Sequence, residues 1–426
     1  MNKLNKDITF LGNAIVDIIA TTSDEILSEL NIPKGGMQLV DSETADALIN
    51  HIRESTIVSG GSAANTAVGF SSFGGSACFV GQTGLDKFGE LFSKDINKSK
   101  VFFENKGANK LNKTSKSIIL VTPDAERSMS TFLGASVDFN INCINEDRIL
   151  NSKILYIEGY LFDQPDAKKA IYHCCKLAKD QNIQIALSLS DLFCVERHRD
   201  DFLTLIIKYI DIIFANEEEI KSLYQLNLYD CIKLITHDVK IGAITLGSKG
   251  SIVFETKKEY VINPIQVKSP LDTTGAGDLF AAGFLYGYIH KYSIKECGNL
   301  GSKAAAEIIT YYGARPKISL KKINSLKKNK IGISALTSYD ASFAKLADNC
   351  GVDIILVGDS LGEVIQGNSN THSVTMDDMC YHTRIVSRGI KKAFLIADMP
   401  KNSYKTKNQA LKNAKKLVAK NMADMV

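Results

Sequence analysis

The chain has 426 residues, 45% hydrophobic and 23% charged, with a formal net charge of +4. Those fractions are ordinary for globular proteins and exclude collagen-like, disordered and membrane-embedded classes, while the length suffices for two or three domains. No apolar run reaches the roughly 20 residues of a membrane span, and the first residues enter a strand without a signal-peptide core, so a cytoplasmic protein with no membrane partner is expected.

Short apolar, β-branched runs alternate with amphipathic stretches along the chain. In order, 8–11 and 15–19 read as strands, 63–73 as a helix and 77–81 as a strand. Residues 117–133 carry two strand-like runs about the turn Pro123-Asp-Ala-Glu126, a hairpin that with 15–19 makes a small β-sheet suited to a lid. Strand 154–158, helix 166–180, strands 185–189 and 210–214, helix 217–226 and strand 243–246 follow. Such alternation predicts an α/β domain on a parallel sheet. The pattern breaks at Gly313-Ala-Arg-Pro316; residues 317–330 are lysine-rich and read as a linker, and strands resume at 332–336, 354–357 and 394–397.

Charge divides at the same place. Residues 318–426 hold 17 Lys+Arg against 9 Asp+Glu, and the rest 34 against 38. Of the last stretch, seven lysines lie between Lys401 and Lys420 with Tyr404 the one aromatic among them. A nucleic-acid surface would interleave arginines or aromatics, so a solvated helix face is expected there and no nucleic-acid partner. The nine cysteines are scattered and never spaced Cys-x-x-Cys, which predicts buried thiols in a reducing compartment.

The motif that carries chemistry is Asp272-Thr-Thr-Gly-Ala-Gly-Asp278, running into an apolar helix. A Gly-x-Gly turn opening a helix offers unpaired N–H groups at the positive end of the helix dipole, an anion site. Asp278, in the first helical turn, is placed to take a proton from a hydroxyl beside a transferring phosphoryl group; the plain alternative is a helix cap. Gly247-Ser-Lys-Gly-Ser251 lacks the spacing of a Walker loop, and no Gly-x-Gly-x-x-Gly follows the first strand.

With Gly60-Gly-Ser-Ala-Ala-Asn65, Gly81-Gln-Thr-Gly84, Asn216-Glu-Glu-Glu219 and Thr245-Leu-Gly-Ser-Lys-Gly250 in the same order, residues 7–316 resemble the ribokinase/PfkB family of carbohydrate and nucleoside kinases. The resemblance implies a three-layer α/β/α ribokinase-like domain with a small β lid from about 13–50 and 115–135. It implies ATP and magnesium as cofactors and Asp278 as catalytic base. Gly275, Ala276 and Gly277 would form the anion hole, and Asn216 and Glu219 would organise magnesium through water. Thr245, Gly247 and Gly250 would line the ATP side, and a monovalent cation would sit near Asp272. Asn13, Asp17, Gly61, Ser62 and Asn65 match positions that hold ribose hydroxyls. Arg127 would close over the phosphates or be an exposed lid arginine without that role. The segments 33–41, 126–135 and 159–163 are similar to those of bacterial adenosine-kinase-like members, so the expected substrate is adenosine, with a ribose- or fructose-type sugar as the alternative. Oligomeric state stays open.

The last quarter resembles a second family. Thr337-Ser-Tyr-Asp-Ala-Ser, Val352-Asp-Ile-Ile-Leu-Val-Gly-Asp-Ser360 and Ala397-Asp-Met-Pro400 look like the amino-terminal part of ketopantoate hydroxymethyltransferase, a TIM-barrel enzyme. Asp359 and Asp398 would then be magnesium ligands, and Ser360 would touch a ketoacid. A closed barrel takes about 250 residues, so some 110 residues are expected to form an incomplete (β/α) fragment without hydroxymethyltransferase activity. Truncation, completion by a separate chain and an oligomerisation segment are the three explanations.

Overall fold

The computed structural model describes residues 6–52, 54–106, 112–124, 126–267, 270–316, 319–320, 334–419 and 422–426. The chain divides into two compact units, Met1–Asn324 and Ser325–Val426.

The strands of the first unit are, in order, β1 (Lys6–Leu11), β2 (Ile15–Thr21), β3 (Met37–Leu39), β4 (Thr56–Gly60), β5 (Ala77–Val80), β6 (Phe102–Glu104), β7 (Ser115–Val121), β8 (Arg127–Phe132), β9 (Ser152–Glu158), β10 (Gln184–Ser188), β11 (Ile212–Asn216), β12 (Ile241–Thr245), β13 (Ser251–Glu255) and β14 (Lys258–Ile262). Nine of them form one sheet, ordered β14-β13-β12-β11-β10-β9-β1-β5-β6. Side chains alternate between its faces with a period of two. Phe10, Phe79, Tyr156 and Phe214 join the core under the helices Ser62–Ser72, Ala276–Ile289 and Ile294–Ile308. Leu11, Val80, Ile157 and Ala215 join the core on the opposite face, under Pro165–Asp180 and Leu192–Tyr209. Helices on both faces explain why these strands are apolar throughout, and the result is the expected three-layer architecture.

The sheet is parallel from β6 to β12, but β12, β13 and β14 are antiparallel. This edge was not expected from the sequence. The β13–β14 hairpin turns through Thr256 (φ 47°) and Lys257 (φ 68°), the two positive-φ positions of a tight hairpin loop that Asn and Gly usually fill. Its turn signal was therefore missing.

The second sheet of this unit, β3-β8-β7-β2-β4, is the expected lid, with β7 and β8 forming the expected hairpin and β2 parallel to β7. Ile118 and Leu120 pack against Leu27, Ala45 and Leu48 of the short helices Asp24–Glu29 and Ser42–His51. Ser117 and Ile119, one residue out of phase, face a cavity instead.

The second unit has β15 (Ala335–Thr337), β16 (Ile354–Val357) and β17 (Phe394–Ala397), parallel in that order. The helices Ala341–Asn349, Met376–Gly389 and Lys407–Val418 contribute Ala344, Met379, Val386 and Leu417 to its core. These are the three βα units expected. Beyond them the Asp424 N–H donates to the Leu395 carbonyl (2.9 Å) and Met425 bridges Ile396 in parallel, extending the sheet past β17.

Most of the expected linker, 317–330, lies outside the described residues; so do residues 332 and 333 of the expected strand. Leu320, however, is 1% exposed and belongs to the core of the first unit. Its N–H donates to Ser72 Oγ (3.0 Å), so the compact kinase-like unit includes residue 320. All nine cysteines are free, and all but Cys350 are buried. Among the described residues no helix is long and apolar enough to cross a membrane.

Candidate active site

A cavity of about 700 Å³ opens where the parallel strands end, the usual place for a ligand in an open α/β sheet. Asn13 follows β1, Asn216 ends β11 and Thr245 ends β12, and all three line it. So do Asp17, Gly61, Ser62, Asn65, Glu219 and the whole turn from Thr273 to Asp278. Residues scattered over 266 positions of sequence thus meet in one hollow.

Asp278 sits in the first turn of the helix Ala276–Ile289. Ser62 Oγ donates to its Oδ1 (2.6 Å) and Asn65 Nδ2 to its Oδ2 (3.2 Å). Burial raises its pKa to about 6, against the lowering effect of those two bonds. The side chain is not spent as a cap: the N-cap residue is Gly275, without a side-chain bond. Gly275 has φ +76°, and a Cβ there would stand 2.6 Å from the Ala314 Cβ, so only glycine fits. One expected anion-hole amide is already occupied, because the Ala276 N–H donates to the Thr273 carbonyl (3.2 Å) and closes the turn. The amides of Gly275 and Gly277 have no such partner among the described residues.

Asp17 projects from β2 toward the cavity, 9% exposed. Burial raises its carboxyl pKa to about 7, opposed by the nearby charges of Arg127 and Arg315. Gly61, at φ +91°, begins the helix Ser62–Ser72 with its backbone pressed against the Asn13 carbonyl. That contact joins the two polypeptide segments holding Asn13, Ser62 and Asn65.

Asn216 and Glu219 form a capping box. Asn216 Oδ1 accepts from the Glu219 N–H (2.8 Å), while Glu219 accepts from the Asn216 N–H (2.9 Å) and Nδ2 (2.6 Å). Burial lifts the Glu219 pKa to about 7. Each Glu219 oxygen keeps a lone pair beyond these bonds. A buried carboxylate with spare lone pairs facing a cavity fits a hydrated magnesium ion, which keeps most of its water.

Three expectations are revised. Arg127 is neither exposed nor lining the cavity: its side chain is 13% exposed and its Nη1 ion-pairs with Oδ1 (2.5 Å) of Asp272, the residue that opens the glycine motif. Asp272 also accepts from the Thr274 N–H (2.9 Å) and, through Oδ2, the Gly313 N–H (2.8 Å). With a guanidinium already neutralising it, this carboxylate does not fit a monovalent cation. Gly247 and Gly250 lie in the β12–β13 turn outside the cavity lining. Gly250 (φ +97°) packs against the Ile262 carbonyl, a structural reason for its glycine.

Sequence reasoning missed Glu158. It ends β9, fully buried, and accepts N–H groups from Asn13 (3.3 Å) and Ala63 (2.7 Å), with burial raising its pKa to about 8. A carboxylate closing an apolar strand just before Gly159 was the available signal. Also missed was the apolar wall formed by Leu39, Ile119, Met129, Leu133, Val137 and Leu161. In the second unit, Asp359 and Asp398 follow β16 and β17, and the Asp398 pKa is raised by burial and by the Asp359 charge. No third His, Cys, Asp or Glu joins a metal-binding cluster among the described residues.

The model of the pfkB family carbohydrate kinases matches residues 26–321, and that of ketopantoate hydroxymethyltransferase matches residues 317–426. Adenosine kinase from Sinorhizobium meliloti is 40% identical, with 75% of this chain and 99% of that one covered at a TM-score of 0.71. A probable sugar kinase protein from Rhizobium etli CFN 42 is also 40% identical, covering 75% and 98% at 0.71. The 3-methyl-2-oxobutanoate hydroxymethyltransferase of Nitrosococcus oceani is 52% identical over 110 residues, 26% of this chain and 42% of that protein. That of Ruthia magnifica is 52% identical over 101 residues, 24% and 39%. The chain thus spans about two fifths of the length of these curated relatives. The first match takes in more than half of the residues and the whole of the cavity turn: the chain belongs to the pfkB family of carbohydrate kinases.

Proposed function

We propose that the chain transfers the γ-phosphoryl group of ATP to the primary hydroxyl of adenosine, giving AMP and ADP, in the cytoplasm. The observation that carries this reading is the two-part character of the cavity. Asn13, Asp17 and Asn65 offer an amide, a carboxylate and a second amide suited to ribose hydroxyls, and beside them Leu39, Ile119, Met129, Leu133, Val137 and Leu161 form an apolar wall. A flat purine base would bury its faces there, whereas a free sugar would leave that wall wet.

Asp278 accepts the proton of the attacking hydroxyl as the oxygen–phosphorus bond forms and ADP departs. The free amides of Gly275 and Gly277 stabilise the transferring phosphoryl oxygens, as preorganised donors do. Thr245 borders the nucleotide side, and Asn216 and Glu219 are the residues that would hold magnesium. Magnesium, when bound, neutralises triphosphate charge.

The test is a panel of acceptors with ATP: adenosine, inosine, ribose and fructose. Adenosine is expected to give a kcat/KM about 100-fold or more above ribose, the worth of burying a base. Rapid turnover of ribose or fructose with none of adenosine would overturn the assignment in favour of a sugar kinase.

For the second unit we propose no hydroxymethyl transfer. Asp359 and Asp398 supply two carboxylates at strand ends without further metal-capable partners among the described residues. Incubation with 2-ketoisovalerate and a one-carbon donor should yield no ketopantoate; detectable product from this chain alone would refute the proposal.

A further inference from the structure

Arg315 belongs to none of the glycine motifs and does not line the cavity, yet its side chain is only 12% exposed. Its Nε donates to Asn65 Oδ1 (3.3 Å). Its Nη1 donates to Asp95 Oδ2 (3.2 Å) and to Ser59 Oγ at the end of the lid strand β4. The guanidinium carbon lies 5.7 Å from the centre of the Phe92 ring. Burial lowers its pKa to about 10, which leaves it charged and purely a donor at neutral pH.

The bond to Asn65 has a chemical consequence. The two ends of an asparagine amide are nearly alike in shape and opposite in hydrogen-bond sense. A guanidinium has no acceptor, so it selects the amide orientation with Oδ1 toward itself. Nδ2 must then point the other way, and its partner there is Asp278 Oδ2 at 3.2 Å. The reversed amide would set an oxygen against the carboxylate and an NH2 against the arginine. Both contacts would repel.

We propose that Arg315 is a positioning residue for phosphoryl transfer: it locks the Asn65 amide so that its N–H group holds Asp278 in place. Asp95, Ser59 and the Phe92 ring fix the guanidinium in turn. The proposal rests on Asp278 being the base.

The experiment is a double-mutant cycle in the full-length chain with Arg315→Met, which keeps the stem and removes every donor, Asn65→Ala, and the pair. Arg315→Met should lower kcat by about 10- to 100-fold, the scale of a misplaced reacting group, with the KM for ATP within about twofold. In the Asn65→Ala background the same substitution should cost almost nothing, because its target is gone. Arg315→Lys keeps the charge but loses the planar fork, and carries the same comparison if Arg315→Met does not fold. Equal losses in both backgrounds, or a lowered melting temperature with unchanged kcat, would overturn the positioning role. Full activity of Asp278→Asn would instead overturn the base assignment, so the two failures are distinguishable.

Discussion

Asp278→Asn is expected to lower kcat by about 10³-fold, near the middle of the range for losing a general base, while ATP affinity stays within a few-fold. Asn keeps the size of Asp and can still accept from Ser62 Oγ, but it cannot take a proton from the acceptor hydroxyl. Steady-state kinetics with a separate binding measurement for ATP checks it. The pH dependence has a definite sign. Burial raises the Asp278 pKa to about 6, and those of Asp17 and Glu219 to about 7. Each is useful ionised, so kcat/KM should fall as pH drops from 8 to 5, with a slope steeper than one proton. The Asp278→Asn residual should show a shallower fall, since one of the three titrating groups is gone. Retained turnover in the variant would remove Asp278 from the chemistry.

Gly275→Ala is expected to be the second severe change, with kcat reduced by about 10²-fold, comparable with losing one oxyanion-hole donor. The positive φ of +76° costs an alanine about 1–2 kcal/mol, and its Cβ would meet the Ala314 Cβ at 2.6 Å and Cα at 2.9 Å. The turn must therefore shift, taking the Gly275 and Gly277 amides with it. Acceptor binding should survive, because Asn13, Asp17 and Asn65 stand on other elements. Calorimetric adenosine affinity beside kcat separates the two effects. Gly277→Ala is the control: a Cβ there meets nothing within 4 Å, so that variant should fold normally and any loss reports on the space the phosphoryl group needs. Undiminished kcat in Gly275→Ala would place the anion hole elsewhere.

The layered architecture was legible because it rests on local signals. Apolar β-branched runs such as 154–158 and 210–214 alternate with amphipathic helices, and a doubly covered parallel sheet is the arrangement that buries both faces of such strands. The glycine turn was legible because backbone geometry dictates its composition: a helix beginning at φ +76° against Ala314 tolerates little but glycine. The β13–β14 edge was not, since Thr256 and Lys257 adopt conformations their residue types do not announce.

What the sequence by itself determined was therefore the kinase fold, the glycine turn on which Asp278 stands, and the three βα units of the second unit with its compositional break. Only the tertiary structure decided which polar groups are free and which are spent. Asp272, expected beside a cation, is claimed by Arg127 across 145 residues of sequence, and the Ala276 amide closes its own turn. Arg315 and Glu158 had no motif to mark them, yet they hold Asn65, Asn13 and Ala63. Hydrogen-bond partnership between distant segments depends on distances of a few tenths of an ångström, which residue spacing does not encode. The chemistry of each group was legible locally, and its availability was settled by what packed against it.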